Sequence, residues 1–303
     1  MSGGNQGCSL EAKIMLKTPQ VEDLMLAVQQ WLWVGTPGGF VYGNPRVGKT
    51  TGIKYASESI STRSGGSVPF IYYSVQRDQR KTDKKFWSAI LLALRKDITH
   101  TRTAIALYEQ LMGQIDIISR QNMERQVILC IDEAQDLSLQ ELRWLICLHN
   151  DLLHQGTNLL VTQVGTLELK DRQKKLFGPE TDHIKGRFFN SEYRFHGVRT
   201  RNELQQILLI FDDPTAWLGS QTPSSFYLLE SCLQGAKLCD LLPFFWRIWT
   251  DKIKPSGYSE WPTFYLIGAI RTFFLDFVHR IPHSEDVESY IYGAVKASGI
   301  LPE

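Results

Sequence analysis

"GFVYGNPRVGKTT", residues 39–51, begins as an apolar strand, breaks at Gly43 and reaches a Gly-Lys-Thr-Thr step placed to open a helix. Gly43, Asn44, Pro45, Arg46, Val47, Gly48, Lys49 and Thr50 satisfy the spacing G-x-x-x-x-G-K-[ST], and Thr51 continues the polar step. The spacing has a mechanism. Glycines let a loop wrap with its backbone N–H groups turned inward, the lysine reaches β- and γ-phosphates, and the Thr50 hydroxyl at the dipole-positive helix start suits Mg²⁺. A glycine-rich turn with an exposed lysine is the plainer alternative. The apolar strand before the loop and the helical pattern after it favour a phosphate cradle.

A second stretch supplies what such a loop lacks. "RQVILCIDEAQDL", residues 125–137, reads as a buried strand that ends in Asp132, with Glu133 immediately after. Ligands of parallel sheets sit at the carboxyl ends of the strands. There Asp132 is suited to hold Mg²⁺, directly or through water, and Glu133 to polarise an attacking water. The next strand, "LLVTQVGT" at 159–166, is expected beside the loop's strand, with Gln163 and Thr166 at its exit as candidates to sense a γ-phosphate. "HIKGRFF" places Arg187 after a helix and before the strand "EYRFHGV". From there an arginine is placed to reach a neighbouring subunit's nucleotide.

Between these landmarks, strand-like runs such as "VPFIYYSV" at 68–75 alternate with helical patterns such as "QVEDLMLAVQQWLW" from residue 20, which calls for a parallel α/β sheet. Beyond residue 198 the pattern turns helical. The expected organisation is an N-terminal arm over 1–19, an α/β nucleotide-binding domain over 20–198, a helical lid domain over 199–280 and a C-terminal tail over 281–303. The aromatic stretch "FFWRIWTDKIKPSGYSEWPTFYLIG" reads as core.

Composition narrows the class. With 303 residues, 43% hydrophobic and 21% charged, the chain can bury a sizeable core. No apolar run approaches the roughly 18 residues of a membrane span, and the start lacks the order of a secretory signal, so a cytoplasmic location and no membrane partner are expected. The 33 basic and 32 acidic residues give a net charge of +1, so bulk electrostatics make no case for nucleic acid. Two local runs stand out, Arg77–Lys96, with seven Lys or Arg against two Asp, and "KDRQKK" at 170–175; both read as solvated faces. The five cysteines are scattered without a CxxC pair, which predicts buried free thiols.

The order "GNPRVGKTT", "VILCIDEAQDLS", "LLVTQVGTLEL", "KGRF" and then helices resembles AAA+ ATPases, and within them the TnsC/TniB type, over about residues 20–240. The resemblance implies an AAA+ P-loop fold with a parallel central sheet and a C-terminal helical lid, and ATP and Mg²⁺ as cofactors. Lys49, Thr50, Asp132 and Glu133 then take the Walker A and B roles, Gln163 the first sensor in place of the more usual Asn, and Arg187 the arginine finger. Lys237 stands where a lid arginine is usual. It further implies an ATP-dependent, DNA-binding regulator of transposition that links target-site selection to transposase recruitment, with hydrolysis driving disassembly. Its partners would be further copies of itself in a ring or helical filament, a transposase, a target-selection protein and the backbone of double-stranded DNA. Within "RKDITHTRT" at 95–103, Lys96, Thr99, Arg102 and Thr103 are the candidate backbone contacts. Two other readings share the motifs: a helicase-loader or initiator-type AAA+ ATPase, and a STAND-like nucleotide switch that does not bind DNA.

Overall fold

The computed structural model describes residues 16–77, 80–96, 103–176, 178–216, 222–228, 231–283 and 286–301. In chain order the main elements are α1 (Pro19–Val34), β1 (Gly38–Tyr42), α2 (Lys49–Ser59), β2 (Phe70–Ser74), α3 (Asp83–Ala93), α4 (Ala104–Ser119), β3 (Gln126–Asp132), α5 (Leu139–His154) and β4 (Asn158–Gly165). They continue as α6 (Leu167–Lys175), α7 (Asp182–Phe188), β5 (Ser191–Arg194), α8 (Arg201–Asp212), α9 (Pro223–Tyr227), α10 (Leu242–Ile248), α11 (Thr263–Thr272) and α12 (Val287–Ala297). The strands form one parallel sheet in the order β2-β3-β4-β1-β5. As the sequence predicts, β4 lies beside β1.

The chain divides into two compact units. One comprises Asp23–Asn44 and Ala56–Phe195 and holds the sheet. Its interior strands show why "VILCI" reads as an unbroken apolar run: Val127 through Ile131 are all fully buried, as a strand covered on both faces requires. The edge strand β5 alternates between half-buried and exposed positions. Phe40, Leu129, Ile131 and Val161 form the centre of this core, with Phe86, Trp87, Tyr108 and Trp144 in ring contact beside it. Ser138 caps α5 in a reciprocal box with Glu141, a motif that stabilises a helix by about 1 kcal/mol.

The other unit comprises the described residues of Met1–Glu22, Pro45–Tyr55 and His196–Glu303. Helices α8 to α12 enclose Phe245, Trp261, Phe273 and Phe274, and Trp249 stacks on Trp261 with centroids 6.0 Å apart. Most of the aromatic stretch is therefore core, as expected, with Phe264 left exposed. Val198 and Trp261 exchange backbone hydrogen bonds of 2.8 and 2.7 Å, and this bridge ties the start of the helical part to the segment before α11.

The thiol expectation needs correction. Among the described cysteines, all free, only Cys130 is buried, while Cys147 and Cys232 are exposed and Cys239 is intermediate. Cys147 lies on α5, whose buried stripe runs through Leu142, Leu145, Ile146, Leu148, His149 and Leu152. An apolar run on an amphipathic helix still leaves one residue facing out. Among the described residues, no helix is long and apolar enough to cross a membrane.

Two packing details give predictions. At Gly39 in β1 an added Cβ would stand 2.6 Å from the Trp31 ring. Gly39→Ala should therefore lower unfolding stability by about 1–3 kcal/mol, and the loss should shrink in a Trp31→Leu background, as read by urea midpoints. His149, buried on α5, bonds through Nδ1 to the Leu159 carbonyl at 3.0 Å. Burial pushes its pKa down from 6.5 and the Arg187 charge adds to this, against the pull of the carbonyl. Its folded pKa lies below its unfolded one, so its stabilisation is complete above about pH 6.5 and declines as pH falls below that value. Urea unfolding between pH 7.5 and 5.5 should show this slope, and His149→Gln should flatten it.

Candidate nucleotide site

In the sheet-bearing unit the register brings three strand exits level. Val41 and Tyr42 of β1 stand opposite Val164 and Gly165 of β4, and Gln163 of β4 stands opposite Ile131 of β3. The chain leaves β1 through Gly43 and Asn44, turns, and enters α2 at Lys49. Gly48 has φ +103°, a conformation that glycine adopts without steric penalty. The Gly52 N–H returns to the Gly48 carbonyl at 2.8 Å, so Lys49 and Thr50 stand in the first turn of an 11-residue helix.

Arg46 has no assignable role in the sequence pattern. In the helical unit its guanidinium lies over the rings of Phe264 and Tyr265, 5.4 and 5.1 Å from their centroids. Its carbonyl accepts the Phe264 N–H at 3.1 Å, and its own φ is +62°. The loop residue that the phosphate pattern leaves free is thus anchored on the first turn of α11. Nothing local to either segment signals this pairing.

At the β3 exit, Asp132 is 5% exposed. Its Oδ1 accepts the Glu133 N–H at 2.9 Å and its Oδ2 accepts the Tyr72 hydroxyl. Tyr72 sits on β2 opposite Cys130, and sequence reading missed it because "FIYYS" gives only a strand pattern. Glu133 itself is left-handed, with φ +55° and ψ +36°, which is rare for a residue with a side chain. Its carboxylate is exposed, and Oε2 accepts the Gln135 amide at 2.5 Å. The Gln135 Oε1 in turn accepts the Thr166 N–H at 3.2 Å.

The β4 candidates separate. Gln163 is fully buried, and its Nε2 donates to the Phe188 carbonyl at 3.2 Å. Thr166, at the strand exit, has a buried hydroxyl without a hydrogen-bond partner among the described residues. Arg187 is half-buried and donates through Nη1 to Asn150 Oδ1 at 2.5 Å. In the helical unit Lys237 is exposed and opens the short turn Leu238–Leu241, its N–H on Asp240 at 2.8 Å. Lys96 is exposed, and the Thr103 hydroxyl caps α4 by accepting the Ala106 N–H at 3.2 Å. Thr99 and Arg102 lie outside the described residues.

The basic runs are only partly solvated faces. Within the first, Arg77 pairs with Asp136 at 2.9 Å and Lys81 with Glu141 at 2.8 Å. Arg80, Lys81, Lys84 and Lys85 line an open groove of about 730 Å³ with Tyr72 and Ser74. In "KDRQKK", Lys170 pairs with Glu192, and Arg172 donates to the carbonyls of Leu137 and Gln135. Burial pushes the Arg172 pKa down, whereas Lys174 and Lys175 remain exposed. Among the described residues no group of three or more His, Cys, Asp or Glu is arranged to hold a metal by itself.

Residues 35–173 match a family model described as AAA domain. No curated protein matches the chain. Among solved structures the chain is similar to the ORC2 protein of Aeropyrum pernix in its ADPNP–ADP complexes, at 13% identity over 94% of this chain and 70% of that one, with a TM-score of 0.51. It is also similar to Cdc6p of Pyrobaculum aerophilum, at 16% identity over 98% and 84% with a TM-score of 0.45. A third is the ORC1 protein of Aeropyrum pernix in complex with DNA, at 14% identity over 94% and 66% with a TM-score of 0.46. At such identities the likeness bears on fold alone, and the ORC2 comparison carries it. The chain has the α/β AAA+ P-loop fold with a helical C-terminal part, and the AAA-domain match falls on its sheet-bearing stretch.

Proposed function

We propose that the chain binds and hydrolyses ATP and, in its ATP-bound form, assembles with copies of itself on duplex DNA as an initiator- or loader-type AAA+ switch. One observation carries the hydrolytic part. The acidic pair Asp132–Glu133 stands at the exit of β3, level with the β1 exit that opens the phosphate loop, and Glu133 is held left-handed with its carboxylate exposed. Nucleotide complexes of the ORC2 protein, which shares the fold, agree with an adenine nucleotide as ligand.

In this reading the backbone of Gly43–Gly48 cradles phosphates and Lys49 offsets their charge. Thr50 and Asp132 present the hard oxygen donors that Mg²⁺ takes. The Tyr72 hydroxyl and the Glu133 N–H hold the Asp132 carboxylate in one orientation. Mg²⁺ held by Thr50 and Asp132 would supply charge neutralisation at the phosphates. Glu133 accepts the proton of the attacking water. Thr166, with its unpartnered hydroxyl at the β4 exit, senses the γ-phosphate in place of the enclosed Gln163. Arg187 serves a neighbouring copy after leaving Asn150, and Lys237 is the candidate second sensor. DNA is met through its phosphates by the groove carrying Arg80, Lys84 and Lys85, together with Lys96; such contacts position a duplex without reading its bases.

A narrower reading, regulation of DNA transposition with a transposase and a target-selection protein as partners, is favoured by one feature, the order "IDEAQ" then "VGTLEL". Pull-down with a transposase rather than a replicative helicase distinguishes it.

Lys49→Ala should weaken ATP binding about 10- to 100-fold, the worth of a charge-assisted phosphate contact, in calorimetric titration. Glu133→Gln should keep that affinity and lose turnover by about 10²–10⁴-fold, the usual contribution of a general base. Wild-type turnover in Glu133→Gln would remove Glu133 from the chemistry. In gel shifts with duplex DNA, binding should require ATP, and the Lys84→Ala/Lys85→Ala pair should reduce the salt slope of log K by about 2. Absence of any ATP-dependent shift would leave a nucleotide switch that does not bind DNA.

A further inference from the structure

Gln135 occupies the short turn Ala134–Asp136 after the acidic pair, and its side chain bridges two strand exits. Nε2 donates to Glu133 Oε2 at 2.5 Å, and Oε1 accepts the Thr166 N–H at 3.2 Å. The fit against β4 is close: a Cβ added at Gly165 would stand 2.4 Å from the Gln135 Oε1. Its carbonyl accepts Arg172 Nη1 at 3.4 Å. The bridge needs a donor at one end and an acceptor at the other, and an amide supplies both. A carboxylate there would lack the donor and set a like charge against Glu133.

Glu133 needs such a partner. Its side chain is exposed, and a free glutamate disperses over many rotamers, which dilutes any one orientation of its carboxylate. We propose that Gln135 is the positioning residue for Glu133, fixing the carboxylate of the base to the β4 exit so that its orientation follows the backbone at Thr166. The inference rests on the reading of Glu133 as the base.

The test is steady-state ATP hydrolysis by the full chain with Mg²⁺, alongside thermal unfolding and ATP titration. Gln135→Ala should lower kcat about 10- to 100-fold, as loss of an orienting partner does, with KM for ATP within about twofold. Gln135→Glu should lose at least as much. In a Glu133→Gln background, adding Gln135→Ala should change the residual rate less than about twofold, because the two act as one unit. If Gln135→Ala does not fold, Gln135→Met, which keeps the length without the amide, is read the same way. Wild-type kcat in Gln135→Ala beside an inactive Glu133→Gln overturns the proposal, as do losses that multiply in the double variant. Wild-type turnover in Glu133→Gln overturns the reading of Glu133 and this proposal with it.

Discussion

The β3-β4-β1 ladder is the constraint on which the rest of the sheet-bearing unit depends. Parallel strands carry their polar exits at one end, and the pairing of Ile131 with Gln163 and of Tyr42 with Gly165 sets those exits at one level. A slip of one residue would turn every side chain of a strand to the opposite face. Burial alone does not prevent this in β3, because Val127 to Ile131 are apolar on both faces. The polar ends do. Asn122 grips the backbone of Gln126 at the entry, and Asp132 is held at the exit by Tyr72 and by the next N–H.

That exit is held against its own backbone preference. A left-handed residue with a side chain costs about 1–3 kcal/mol when the surroundings enforce it. The Asp136 N–H on the Glu133 carbonyl at 3.0 Å, the Glu133 N–H on Asp132 and the Gln135 amide supply three hydrogen bonds, each worth on the order of 1 kcal/mol. These terms are of the same size as the strain and offset it. Arg172 adds hydrogen bonds to the carbonyls of Gln135 and Leu137.

The sequence made the fold legible because its signals are local or periodic. Gly48-Lys49-Thr50 marks a helix start, "VILCID" a doubly covered strand, and Ser138 with Glu141 a cap; each depends on neighbours within a few residues. The site was half legible. Asp132 and Glu133 are marked by their place at a strand end, but Tyr72 contributes from another strand, and its hydroxyl is visible only once β2 is paired with β3. Gln163 lies deeper in the sheet than its sequence position suggests, for a related reason. A polar residue near a strand end looks like an exit residue, yet the strand continues to Gly165, and the amide turns instead to the Phe188 carbonyl. Arg172 likewise looked solvated in a run of charges, although carbonyls 35 and 37 residues earlier in the chain claim its guanidinium.

Arg46 shows the same limit at its sharpest, and it also explains an exposed ring. Phe264 is 60% exposed, an expensive place for a phenyl group unless the ring has a partner that area alone does not count. The Arg46 guanidinium is that partner, shared with Tyr265, and a cation over an exposed aromatic face contributes about 0.5–1 kcal/mol. Two such contacts and the Phe264 N–H on the Arg46 carbonyl together match the 1–2 kcal/mol that a left-handed arginine forfeits. The loop's backbone at Arg46 and the first turn of α11 therefore support each other. A displacement of the Arg46 peptide by about an ångström would break the carbonyl contact and unseat the guanidinium together. Within this unit, Arg46 and the first turn of α11 are held to each other by side chain and backbone at once.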